Sequence, residues 1–253
     1  MLSFVCTPIG NLEDMTPRAV RILREADVIA CEDTRRTRAL LTHFEIARPT
    51  ELVSYRDPHE LRTATYLMGK LEAGLRVAIC TDGGAPGISD PGYRIARLAA
   101  QAGHPMQAIP GASAVTAALM VSGLPAASFT CKGFAPRKPG ALHRFFADEA
   151  DVAHTLVFFE SPYRVGKSLA AAFEALGNRE AAVCLELTKV HERVVRGGLS
   201  ALALQFKDKK VKGEVTIVIA GNHPAFADAA AITGGEAYAP PELDMGARRV
   251  AED

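Results

Sequence analysis

Short apolar runs rich in β-branched residues alternate with amphipathic stretches along most of the chain, and this alternation limits the possible architectures more than any other feature. The runs are "LSFVC" at 2–6, "DVIACE" at 27–32, "TELVSY" at 50–55, "LRVAIC" at 75–80, "PMQAI" at 105–109, "HTLVFFE" at 154–160, "EAAVCLEL" at 180–187 and "GEVTIVIAG" at 213–221. Between them "TPRAVRILREA", "RRTRALLTHFEI", "HELRTATYLMGKLEAG", "YRIARLAAQAG" and "SLAAAFEALG" repeat apolar residues three and four apart, the spacing of one helical face. Strands separated by helices pair in parallel through crossovers, so the pattern predicts an α/β fold. A length of 253 residues suits one large domain or two modest ones. The breaks at Pro110-Gly111 and Gly123-Leu124-Pro125 favour two: an N-terminal α/β domain over 1–110 and a C-terminal α/β domain over 111–221. Residues 222–253, rich in Ala, Gly and Pro and without periodicity, are expected to form a loose tail.

Charge and cysteine usage narrow the function. Lys+Arg and Asp+Glu both total 29, so no global field recruits an anionic partner, and nucleic acid would have to meet a local patch. Cys6, Cys31, Cys80, Cys131 and Cys184 are far apart with no C-x-x-C pair, so neither a disulfide framework nor a metal site is expected. "MLSFVCTPIG" is not a secretory leader and no apolar run reaches membrane-spanning length. A reducing, cytoplasmic setting is the expectation.

The polar loops follow strands, at the ends where open α/β sheets bind ligands. "TPIGNLEDMTPRAV" (7–20) turns at Pro8 and Gly10, and Thr16-Pro17 reads as a helix start. In "CEDTRRTRALL" (31–41), Thr34 could cap a helix; Arg35, Arg36 and Arg38 are either a solvated face or local anion contacts. In "CTDGGAPGISDPG" (80–92), Asp90 as a cap and Pro91 at the first helical position explain the second half. Gly83, Gly84 and Gly87 remain, and glycines let backbone groups approach a nucleotide-like ligand. The loop matches neither G-x-G-x-x-G nor the P-loop, which removes the usual support for nicotinamide or ATP. "IPGASAVTAAL" (109–119) places Ser113 and Ala114 on or near a small-residue helix. Glu160, Glu186, Lys189, His191, Glu192 and Arg193 supply acid and base groups, although charges at strand ends are commonly solvated; no Ser-His-Asp order or metal spacing indicates a hydrolase.

Taken in order, "TPIGNLEDMT", "EDTRRT", "DGGAPGISDPGYR", "IPGASA", "LVFFESPYR", "ELTKVHE" followed by "VRG", and "KGE" span roughly residues 2–221. This set resembles the tetrapyrrole methylase superfamily of S-adenosylmethionine-dependent methyltransferases, in the branch that methylates ribose hydroxyls of small-subunit ribosomal RNA. The resemblance implies two α/β domains with the cofactor in the cleft between them, and a homodimer. It implies cofactor contacts at Ile9, Gly83, Gly84, Ala85, Ile88, Ser113, Ala114, Glu160, Leu187, Val215 and Thr216, many through the backbone. Glu32, Asp33, Lys189 and Glu192 become candidates for taking the acceptor's proton, and Arg35, Arg36 and His59 candidates for RNA contact. The implied reaction is 2′-O-methylation of a cytidine in the decoding region of small-subunit (16S) ribosomal RNA.

Two stretches depart from that branch. "SYRDPHE" (54–60) stands where the branch carries a "YHEHNE"-like segment, keeping only His59 and Glu60 of that site, and residues 222–253 replace a small helical region. The alternatives are a relative that methylates a tetrapyrrole or other small molecule, and a non-catalytic RNA-binding or ribosome-assembly protein. "TPIGNLED" in place of the porphyrin enzymes' "GxGPGD", and an intact glycine loop, weigh against them.

Overall fold

A computed structural model describes residues 1–223 other than 48, 50 and 57. In chain order the elements are β1 (Leu2–Val5), α1 (Pro17–Glu25), β2 (Val28–Cys31), α2 (Thr34–His43), β3 (Glu51–Ser54), α3 (Glu60–Glu72), β4 (Val77–Ile79), α4 (Tyr93–Gln101) and β5 (Met106–Ile109). They continue with α5 (Ala114–Ser122), β6 (Phe129–Phe134), α6 (Pro139–Ala147), β7 (Thr155–Glu160), α7 (Val165–Leu176), β8 (Glu180–Leu185), β9 (Arg193–Gly198), α8 (Leu199–Phe206) and β10 (Val215–Ile219). The strands form two five-stranded sheets, so the α/β class holds.

The first sheet has the order β3-β2-β4-β1-β5 and is parallel throughout. The two-residue period of a strand distributes its side chains to both faces. Val28 and Ala30 meet Leu67 of α3 and Ile95 of α4, while Ile29 and Cys31 meet Leu23 of α1 and Leu41 of α2. With helices on both faces the central strands β2 and β4 are apolar at every position, which is why they read as unbroken runs. Burial of each such leucine or isoleucine contributes about 1.5–3 kcal/mol.

The second sheet, β6-β7-β10-β8-β9, corrects the expectation of parallel pairing: only β6 and β7 are parallel, and the other three ladders are antiparallel. The turn over 186–192 that joins β8 to β9 is shorter than the dozen or so residues a parallel crossover needs. One face packs Phe158, Val183 and Ile217 against α6, α7 and α8; the other packs Val157, Ala182 and Val218 against α5. Thus the chain leaves the first sheet at Ile109 and its next helix already belongs to the second. No helix among the described residues is long and apolar enough to cross a membrane. The expected tail lies, from residue 224 onward, outside the described residues.

Candidate active site

Loops from both sheets meet around a cleft of about 810 Å³. Because β1, β2 and β4 are parallel, their carboxyl ends share one edge, and they deliver Ile9, Glu32 and the glycine loop with Gly83, Gly84, Ala85 and Ile88. The second sheet contributes Glu160 from the end of β7 and Leu187 from beyond β8. It also contributes Val215 and Thr216 from the start of β10, since antiparallel register sets Val215 opposite both Glu160 and Leu185. Ser113 and Ala114 arrive at the amino end of α5. All the positions that the sequence resemblance marked for the cofactor therefore line one cavity.

The glycine loop is built by close backbone approach. Gly84 exchanges two hydrogen bonds with Thr7, N to O at 2.9 Å and O from N at 3.0 Å, with a φ of +96°. A Cβ on Gly83 would stand 3.1 Å from the Pro8 carbonyl oxygen. Further on, a Cβ on Gly92 would stand 2.9 Å from the Gly87 nitrogen, so this glycine pair lets the loop double back on itself. That return brings Asp90 to Thr81, whose hydroxyl lies 3.2 Å from the Asp90 carboxylate and accepts from the Gly83 N–H at 3.1 Å. Ser89, immediately before, holds a φ of +63°, a sparsely populated conformation for a side-chain-bearing residue.

Asp90 does not cap α4, contrary to the sequence reading. The helix begins at Tyr93 with Gly92 in the cap position, and its open N–H groups are met from elsewhere. Glu60 accepts from Gly92 N at 3.2 Å, the Tyr55 hydroxyl accepts from Ile95 N at 3.4 Å, and that hydroxyl donates to Glu60 at 3.0 Å. The divergent "SYRDPHE" stretch, of which Asp57 lies outside the described residues, thus supplies the start of α4.

The ionisable groups sort by what they are already bonded to. Asp33, not Thr34, caps α2, accepting from Arg35 N at 2.8 Å while Arg35 Nη2 pairs with it at 2.7 Å. The Arg35 guanidinium and backbone N–H hold its carboxyl far below the usual range, and neither residue lines the cleft. Arg36 does line it and pairs with Asp82 at 3.4 Å. Burial works against the charged form of Lys189, but bonds to Glu186 at 2.8 Å and Glu214 at 3.2 Å outweigh it and raise its proton affinity. It is an ammonium, not a base. Glu192 accepts from Thr188 N at 2.5 Å outside the lining, and His59 stands at the cap position of α3, also outside it. Glu160 is not solvated as a strand-end charge commonly is: it is buried, bonded to Ser168 and paired with Arg164.

Glu32 and Asp90 remain, lining the cleft with no ion-pair partner among the described residues. Burial, then the charge of Asp82, raises Glu32; burial, then Glu32 and Asp82, pushes Asp90 up to about 6. Asp90, Asp82 and Thr81 are among the cleft residues that sequence reasoning did not assign to the site. A glycine two residues after Asp90 was the available signal that the helix starts later.

The chain is similar in sequence to some known proteins and in fold to others. Over 219 residues the chain is 46% identical to ribosomal RNA small subunit methyltransferase I of Mycobacterium tuberculosis, covering 86% of this chain and 76% of that one. To the protein of the same name in Thermotoga maritima it is 40% identical, covering 87% and 98%. A solved diphthine synthase superposes with a TM-score of 0.65 at 18% identity, covering 87% of this chain and 89% of that one. Uroporphyrin-III-C-methyltransferase from Thermus thermophilus superposes at 0.60 with 23% identity, covering 86% and 93%, a likeness of fold. The family model of the tetrapyrrole (corrin/porphyrin) methylases matches residues 1–203, and with two sheets meeting over one loop-lined cleft the chain belongs to that family.

Proposed function

We infer that the chain transfers a methyl group from S-adenosylmethionine to the 2′-hydroxyl of a cytidine in the decoding region of small-subunit ribosomal RNA. The observation that carries this reading is the convergence, in one cleft, of every position expected to touch the cofactor. The chain doing so is 40–46% identical to proteins named ribosomal RNA small subunit methyltransferase I. Likeness to the tetrapyrrole-methylating structures stays at 17–23% identity, which favours the RNA acceptor.

The residues suit this donor. A cleft of about 810 Å³ lies within the roughly 300–1,000 Å³ range of small-molecule sites. Gly83 and Gly84 offer bare backbone, Ile9, Leu187 and Val215 an apolar lining for a base, and Ser113 leaves the first N–H groups of α5 free of a side-chain cap, a fit for a carboxylate. When bound, S-adenosylmethionine supplies an electrophilic methyl group. The protein's share is to align that methyl with the hydroxyl within about 3–3.5 Å, exclude water and receive a proton.

The same reading includes a domain division at 110/111, supported by the change of sheet between Ile109 and Ala114. It includes a cytoplasmic setting, RNA phosphate contacts by Arg35, Arg36 and His59, and a homodimer. Light scattering tests the dimer. Mass spectrometry of small-subunit RNA after incubation with the protein and labelled cofactor tests the reaction. One ribose-methylated cytidine is expected; bound cofactor with every ribose unmodified would refute the reading.

A further inference from the structure

Given the methyl transfer inferred above, we propose that Asp90 is its general base, the carboxylate that accepts the proton of the ribose hydroxyl. The first ground is elimination within the cleft. Asp82 is taken by Asp33 N and Arg36, Glu160 by Arg164 and Ser168, and Glu214 by Lys189. The Cys184 thiol is pushed up to about 12, chiefly by burial. His43 also lines the cleft, from the last turn of α2. That leaves Asp90, Glu32 and His43, of which Asp90 alone is tied through Thr81 to the glycine loop.

The second ground is how Asp90 is held. One carboxylate oxygen takes a bond from the Thr81 hydroxyl; the other accepts nothing from the described residues. Thr81 also grips Gly83 N, so the carboxylate is tied through one side chain to the turn proposed to hold the methyl donor. The glycine pair 87/92 and the positive φ of Ser89 exist to bring the loop back to this point, and α4 has its cap from Tyr55 and Glu60 instead. Backbone strain beside a half-buried, unpaired carboxylate is a cost to folding that a functional role explains. Glu32 is not held by Thr81; it accepts from the Asp82 backbone N–H and feels Arg36 and Arg56, all of which favour its charged form.

In the step itself the ribose O–H bond breaks and its proton goes to Asp90. The oxygen's electron pair forms the C–O bond to the methyl carbon, and the electrons of the S–CH₃ bond stay on sulfur, which leaves as a neutral thioether. The charged groups acting on Asp90 are Glu32 at the end of β2 and Asp82 in its own loop; Arg36 of α2 and Arg56 before α3 act on Glu32, and Arg94 of α4 is paired with Glu60. Through burial first and these negative neighbours second, the carboxylate holds a proton more tightly than an ordinary aspartate yet is ionised at neutral pH, the condition for an efficient base.

The test compares wild type, Asp90→Asn and Glu32→Gln in three measurements: cofactor affinity by calorimetry, single-turnover methylation of isolated small subunits from pH 5 to 9, and melting midpoint against pH. The wild-type rate should fall as pH drops through about 6. Asp90→Asn should bind the cofactor within twofold, react about 10²–10⁴-fold more slowly and lose that acid limb. Glu32→Gln should move the limb to lower pH. Because the folded state raises the Asp90 pKa, its stabilising contribution is present below the unfolded value and lost as pH rises through about 6. Asp90→Asn should therefore melt higher than wild type at pH 8, with the gap closing toward pH 5. An Asp90→Asn protein within threefold of the wild-type rate, or one that no longer binds the cofactor, overturns the proposal, as does an acid limb that vanishes only in Glu32→Gln. Wild-type protein that modifies no ribose overturns the acceptor reading and this role together.

Discussion

Arg164 shows how much a single residue can carry at the edge of the cleft. Its guanidinium pairs with Glu160, whose side chain is wholly buried, and donates to the carbonyls of Ala135 and Pro136 at 3.0 Å each. It thereby fastens the segment after β6 to the end of β7, where Phe134 and Phe159 line the cleft 5.3 Å apart. Removing one partner of a buried pair leaves the other charge without compensation, at a cost of about 3–5 kcal/mol. Arg164→Met should lose that much in urea unfolding, and a loss under 1 kcal/mol would mean that Glu160 finds water in the folded state. The sequence contained "FFESPYR" but not this outcome, because an acidic residue ending an apolar strand looks the same whether it meets solvent or an arginine four residues on. Asp33 was opaque for a similar reason: beside Thr34 and Arg35, nothing local told which oxygen would cap α2.

At the level of elements, those with strong periodicity were legible and edge elements were not. The runs that became β1, β2, β4, β7, β8 and β10 are buried on both faces, so composition alone marked them. β6, "FTCKGF", and β9, "RVVRGG", lie at the two edges of the second sheet, half exposed, with glycines and charges that erase alternation. α6 opens on Pro-Gly and reads as a turn; "LSALALQF" of α8 is apolar at nearly every position and shows no face. The start of α4 was misread because its cap is tertiary. Tyr55, 2% exposed at the end of β3, reaches Ile95 N and Glu60 across 40 and 5 residues of sequence. Tyr55→Phe removes one buried hydroxyl from this network and should cost about 0.5–1.5 kcal/mol by thermal or urea denaturation. If α4 is instead capped by Asp90 in solution, Tyr55→Phe will be neutral and Asp90→Asn will be the variant that frays the helix, seen as faster amide exchange at Tyr93–Ile95.

For the molecule as a whole, what matters is how two sheets with separate cores are held at one distance across the cleft. The first loop and the turn over 186–192 make that contact: Asn11 N donates to Thr188 Oγ1 at 3.1 Å, and Gly10 packs beneath Lys189 and 3.1 Å, at its would-be Cβ, from the Leu187 carbonyl oxygen. Lys189 has little freedom to yield, being held by Glu186 and Glu214, and the turn is itself wound tightly, with Glu186 and Thr188 at φ of +49° and +66°. Both loops stood out in the sequence as polar stretches after strands, but their meeting did not, because it depends on β10 entering the second sheet antiparallel and bringing Glu214 to Lys189. Gly10→Ala should therefore act at long range. Its methyl would overlap the Lys189 side chain and force the two loops apart, an overpacking cost of about 1–3 kcal/mol. Since Ile9 and Leu187 face the cofactor cleft from either side of this contact, the cost should appear as an approximately tenfold weaker affinity for S-adenosylmethionine, each 1.4 kcal/mol being tenfold. Far-ultraviolet circular dichroism should be unchanged, because each sheet keeps its own helices and core. Unaltered affinity in a folded Gly10→Ala protein would show that the cleft width is set elsewhere, by the packing of α5 and the segment that leads into it, and would shift attention there.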